Sequence, residues 1–196
     1  MKFAHEKQWL LAAALALAMS GAAAQVTVSG VRFDESADVR GSKAKLNGAG
    51  IRYKAVFKVY AAGLYLSRKA GTMEEVLAAP GAKRLSITML RDVDSSELGK
   101  LFSRGIEDNS DKASFSRLIP DVTRMGQIFS DHKKLGAGDN FAIDWIPGIG
   151  TVITLRGVQQ GEPFKEPEFY NALLRIWLGP NPADWKLKEA LLGKAA

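Results

Sequence analysis

The chain has 196 residues, a formal charge of +6, no cysteine and two histidines, His5 and His132. Without cysteine there is no disulfide framework, no thiolate nucleophile and no Cys-ligated zinc or iron–sulfur site. Two histidines leave little material for a His-rich metal site or a Ser-His-Asp triad. The balance of 46% hydrophobic to 24% charged residues is that of a globular chain rather than a disordered one.

The start of the chain reads as a secretory signal. A polar stretch with Lys2 and Lys7 precedes an unbroken apolar run from Trp9 to Met19. Ser20-Gly21 breaks the run, and Ala22-Ala23-Ala24 offers small residues for cleavage between Ala24 and Gln25. The run is too short for a membrane span of about 20 residues, so no stable membrane insertion is expected after cleavage. The expected location is beyond the inner membrane, the periplasm if the cell is Gram-negative. Gln25 to Ala196 suits one domain that buries roughly 70% of its extended surface.

In chain order, Val26 to Val31 is rich in β-branched residues and predicts a strand. Phe33 to Ser42 is polar and predicts a loop or an edge strand. The glycines of Asn47-Gly48-Ala49-Gly50 predict a turn. Ile51, Tyr53, Ala55, Phe57 and Val59 then alternate with Arg52, Lys54, Val56, Lys58 and Tyr60, the period of a half-buried strand. Gly63 to Leu66 continues it or begins its partner. Thr72 with Glu75 three residues on makes a capping box, and Pro80-Gly81 ends that helix. Arg84 to Leu90 is a strand. Asp94 or Ser95 caps a helix to about Asn109, whose Leu98, Leu101, Phe102 and Ile106 recur on one face. Ala113 to Ser130 is helical, with a kink or break expected at Pro120. Gly136 to Asp139 and Pro147 to Gly150 are turns around the strands Asn140 to Ile146 and Thr151 to Arg156, with a further turn at Gly157 to Gly161. Pro167 to Leu178 and Asp184 to Leu192 are the last helices. Tight turns between strands predict an α+β fold with a mainly antiparallel sheet.

Few residues suggest chemistry. Basic and acidic residues are interspersed and no recognition motif is present, so nucleic acid is not an expected partner. His132 sits beside Lys133 and Lys134, which repel a cation, so no metal site is expected. The two glycine turns precede strands, whereas a phosphate loop needs a helix N-terminus. Arg52 remains. On a strand among apolar neighbours, its planar fork of donors suits a carboxylate or an enolate-like oxygen. The same residue could instead reach solvent or pair with a nearby acid.

Gly48-Ala49-Gly50-Ile51-Arg52 followed by Lys58-Val59-Tyr60-Ala61-Ala62-Gly63-Leu64-Tyr65-Leu66 resembles the chalcone isomerase-like family, and its exported bacterial branch in particular. Ile87-Thr88-Met89-Leu90 leading into a helix, Ile176-Trp177-Leu178-Gly179 and Leu191-Leu192-Gly193 extend the likeness over nearly all of Gln25 to Ala196. The resemblance implies an antiparallel sheet covered on one face by helices. It also implies that Arg52 faces a cleft between the two layers. In the family's isomerases this arginine polarises the substrate; in its fatty-acid binders an arginine holds the carboxylate.

This chain departs from the isomerases at three polar positions. Tyr60 stands where they have threonine, and Leu98 and Gly105 stand where they have tyrosine and asparagine. Leu98 and Gly105 are expected to give a wider, greasier cleft, lined by Leu98, Leu101 and Phe102 from the helix. On a flat strand Arg52 and Tyr60 would lie about 26 Å apart, so they share a cleft only if the chain turns between them. The resemblance thus implies binding of a small amphipathic ligand, such as a fatty acid, anchored by Arg52. An intramolecular lyase using Arg52 and Tyr60, and a ligand-free partner-binding module, are the alternatives. No cofactor is expected; the lack of any histidine besides His132 after cleavage argues against the haem binding of some distant family members, although Tyr60 or Tyr53 could in principle ligate iron.

Overall fold

The computed structural model describes residues 25–194. The expected signal segment, Met1 to Ala24, lies outside the described residues. In chain order the elements are β1 (Gln25–Val28), β2 (Val31–Asp34), β3 (Ser36–Val39), β4 (Ser42–Lys54), β5 (Phe57–Leu66), α1 (Met73–Ala78), β6 (Lys83–Met89), β7 (Val93–Asp94), α2 (Ser95–Glu107), α3 (Lys112–Ser130), β8 (Lys134–Leu135), β9 (Asn140–Ile146), β10 (Gly150–Leu155), β11 (Val158–Phe164), α4 (Pro167–Leu178) and α5 (Trp185–Leu191). Seven strands form the main sheet in the order β11-β10-β9-β6-β5-β4-β3. Each neighbouring pair is antiparallel, so the fold is α+β as expected.

Local chemistry explains most boundaries. The Thr72 hydroxyl accepts from Glu75 N while the Glu75 carboxylate accepts from Thr72 N, closing the expected capping box. Asp94 caps α2 by accepting from Ser96 N and Glu97 N. The hairpin turns at Ser29-Gly30, Arg40-Gly41 and Arg156-Gly157 each place two successive residues at positive φ. That backbone twist matches the twist of the flanking strands.

Five expectations need correction. Val26 to Val31 is not one strand, because Ser29-Gly30 folds it into the β1–β2 hairpin. The turn expected at Gly157 to Gly161 lies earlier, at Arg156-Gly157, and β11 begins at Val158. Pro120 does not break α3, which runs from Lys112 to Ser130. Asn47 to Gly50 is not a turn but the middle of β4. The turn comes at Ala55-Val56, with Ala55 at φ 54°, so the stretch read as one strand from Ile51 to Tyr60 is two.

The glycines in β4 serve packing instead. A β carbon on Gly48 would lie 2.0 Å from the Ala190 carbonyl oxygen, and one on Gly50 would lie 2.7 Å from the Ala190 β carbon. Their absence lets α5 press directly onto the strand. The buried Asn47 side chain fastens the same junction. Its Nδ2 donates to the Ala70 and Leu191 carbonyls and its Oδ1 accepts from Ala70 N.

Two cores result, one on each face of the sheet. The larger packs α2, α3 and α4 onto β5, β6, β9 and β10. At its centre Phe102 lies 5.0 Å from Phe129, 5.9 Å from Phe141 and 5.8 Å from Trp177, ring centroid to centroid. Such tilted pairs add about 0.5–1.5 kcal/mol each beyond area burial. The smaller core lies on the opposite face, where Phe33 from β2 covers Ala61 and Tyr65. A β carbon on Gly63 would lie 2.6 Å from the Phe33 ring. Beside it, Arg84 grips Asp144 with two hydrogen bonds of 2.7 Å.

Candidate functional site

The Ala55-Val56 turn folds β4 back on β5 so that Arg52 and Tyr60 become cross-strand partners. Both side chains leave the sheet on its helical face. The Arg52 guanidinium carbon lies 5.9 Å from the Tyr60 ring centroid, within range of a cation–π contact.

Together they line a cavity of about 180 Å³ between the sheet and α2. Leu98, Leu101, Phe102 and Gly105 of α2 form its roof, Val59 and Val93 one side, and Ile176 and the loop Asn181 to Ala183 the other. All six expected site residues, Arg52, Tyr60, Leu98, Leu101, Phe102 and Gly105, therefore meet around one hollow. Gly105 lines the hollow and also serves packing. A β carbon there would lie 2.9 Å from Ile176 Cγ2, so the glycine lets α2 close against α4.

The polar residues lining the hollow are Arg52, Tyr60, Arg104, Asp108 and Asn181. Arg52 is half-buried and makes no hydrogen bond or ion pair among the described residues. Asp184, nearby, is already engaged: it accepts from the backbone N–H groups of Tyr53, Lys186 and Leu187. Glu97 pairs with Lys54. Arg52 thus keeps its full fork of donors. Tyr60 is buried, and its hydroxyl accepts from Trp177 Nε1 at 2.8 Å. Burial pushes its pKa up to about 12, against the opposing pull of Arg52 and of the Trp177 bond. The phenol therefore stays protonated at neutral pH and keeps its own hydrogen to donate.

Sequence reasoning missed three contributors. Trp177 fixes the Tyr60 hydroxyl, and it lies inside the Ile176-Trp177-Leu178-Gly179 motif, which extended the family likeness but gave the tryptophan no role. Buried Asn109 holds the cavity's far wall: its Nδ2 donates to the Gly105 and Asn181 carbonyls, and its Oδ1 accepts from Asn181 N. Gly179 leaves room for it, since a β carbon would lie 2.3 Å from Asn109 Oδ1. Arg104 adds a second, exposed guanidinium at the rim. Nothing local in the sequence marks Asn109, because Asn181, which it holds from both ends of its amide, lies 72 positions away. No cluster of three or more His, Cys, Asp or Glu able to hold a metal occurs among the described residues.

Comparison with known proteins agrees with this architecture. The crystal structure of an Arabidopsis thaliana fatty-acid binding protein superposes with a TM-score of 0.71 at 18% identity, over 86% of this chain and 96% of that one. Curated proteins searched by sequence give no match. A family model described as chalcone isomerase-like matches residues 24–193. With a family match over nearly the whole chain and a shared fold, the chain belongs to the chalcone isomerase-like family.

Proposed function

We propose that this protein binds a small amphipathic carboxylate, with Arg52 gripping the headgroup, Tyr60 donating a hydrogen bond to it, and the apolar roof of α2 taking part of the tail. The carrying observation is a half-buried guanidinium, free of acid partners among the described residues, on the wall of an apolar hollow. Charge-assisted bonds from a planar fork suit a carboxylate, and an apolar pocket with few convergent polar groups is the usual form of a small-molecule site. The fold shared with a fatty-acid binding protein supports the same ligand class.

Size narrows the ligand. At about 180 Å³ the cavity falls below the roughly 300–1,000 Å³ that engulfs a drug-sized molecule. A short acyl chain fits whole; a longer one leaves its tail in the mouth. Leu98 and Gly105 offer no side-chain hydrogen bonds to steer a ring closure, which supports binding over lyase chemistry. The apolar run Trp9–Met19 followed by small residues supports action after export.

Native mass spectrometry of delipidated protein titrated with medium-chain fatty acids tests the reading. Wild type takes up one fatty acid, and Arg52→Ala weakens uptake by about tenfold to a hundredfold, the loss of one charged hydrogen-bonding partner. Equal uptake by the two, or none by either, overturns it.

A further inference from the structure

We propose that the tip of the β4–β5 hairpin and the start of α5 form a peripheral docking surface for an anionic lipid bilayer. Large apolar side chains crowd outward there. Val56 is 82% exposed and Phe57 59% at the hairpin tip, and Trp185 is 61% exposed at the first residue of α5. A groove lined by Val28, Tyr53, Ala55, Trp185 and Lys186 runs from Ala55, beside the hairpin tip, to the start of α5; the one acid in it, Asp184, is engaged by the backbone N–H groups of Tyr53, Lys186 and Leu187. Single exposed apolar residues are ordinary, but a contiguous apolar group ringed by polar residues marks an interaction site.

The ring is cationic. Arg91 lies over the Phe57 ring at 5.2 Å and Lys188 over the Trp185 ring at 4.9 Å. Lys54 and Lys58 flank the tip, and Lys186 follows Trp185. The neighbouring acids are occupied: Asp92 by Lys134, Asp94 by the α2 cap and Glu97 by Lys54. The Lys54 pair is long, at 3.4 Å, and exposed, so it yields readily to a competing anion. Lysine is depleted at protein–protein interfaces, whereas Trp and Tyr at headgroup depth with Lys and Arg facing lipid phosphates is the signature of a bilayer interface. Charge complementarity therefore favours an anionic membrane over a protein partner.

The position gives the surface a use. A second hollow lies between the hairpin tip and the cavity, lined by Arg52, Lys54, Arg91 and Leu101 and by the already engaged acids Asp92, Asp94 and Glu97. A carboxylate leaving the bilayer at Val56 and Phe57 meets Lys54 and Arg91 and then Arg52. This last step rests on the ligand reading above; the docking does not.

Both cores and the main sheet lie within residues 33–192, so the chain from Gln25 to Ala196 carries the fold and excludes the apolar Trp9–Met19 run. It is sedimented with sucrose-loaded phosphatidylcholine vesicles, with and without phosphatidylglycerol. Wild type pellets with the anionic vesicles and is released by salt. Val56→Ser/Phe57→Ser and Trp185→Ser each reduce partitioning by about tenfold with unchanged circular dichroism. Lys165→Glu, beyond the opposite edge of the sheet, pellets like wild type. Equal pelleting of the hairpin variant and wild type overturns the proposal, as does an equal loss from Lys165→Glu. So does a lipid-free wild-type dimer that the hairpin variant dissolves, since the occupant is then a second copy. Arg52→Ala that loses fatty acid yet still pellets separates the two readings: docking stands on pelleting, ligand binding on uptake.

Discussion

Arg52 and Tyr60 show what one residue's environment can do. Each was legible as a candidate residue from the Gly-x-Gly-Ile-Arg stretch and the strand after it. What was not legible was their relation, because Ala55-Val56 carries no glycine, proline or asparagine to announce a turn. The Tyr60 hydroxyl depends on a partner 117 positions away, Trp177. Removing it strands the indole N–H in a buried site. Tyr60→Phe is therefore expected to cost about 1–3 kcal/mol in urea unfolding, the penalty for a buried donor left unpaired. The double variant with Trp177→Phe should recover part of that loss, because both ends of the bond are then apolar. Strict additivity of the two single losses would show that the bond contributes nothing.

At the scale of elements, helices were easier to read than strands. Caps at Thr72 and Asp94 and the apolar face of α2 are local signals, and they gave the right boundaries to within a few residues. The β4 glycines misled, because the same absence of a side chain serves a turn or a close approach. Only α5, arriving from the far end of the chain, decides between them. Gly48→Ala tests that assignment. Its β carbon would overlap the Ala190 carbonyl oxygen, which is backbone and cannot swing aside. Overpacking of this kind costs about 1–3 kcal/mol or more, and here it should free α5 from β4. Hydrogen exchange should then quicken at Leu187 to Leu191 while β9 and β10 keep their protection. If Gly48 were a turn glycine, alanine would strain the turn but α5 would stay protected.

For the whole molecule, the layered α+β plan was legible and the second core was not. The sequence of β5 hints at it: Tyr60 and Tyr65, five residues apart, must lie on opposite faces of one strand. Tyr60 belongs to the helix-side core and Tyr65 to the core under the β1–β2 hairpin. Burial raises both phenols from 10 to about 12, with Asp34 adding to the rise at Tyr65. Below pH 10 both states of the chain hold these protons, so stability does not depend on them. Between pH 10 and about 12 the unfolded chain releases protons that the folded chain retains, so stability falls as pH rises. Because β5 is the wall common to both cores, the two faces are expected to open together. Tyrosinate absorbance and far-ultraviolet circular dichroism, followed through this alkaline range, should trace one coincident transition. Tyr60→Phe and Tyr65→Phe should each make it shallower. Two separated transitions would mean that the hairpin-side core melts independently and that β5 does not couple the layers.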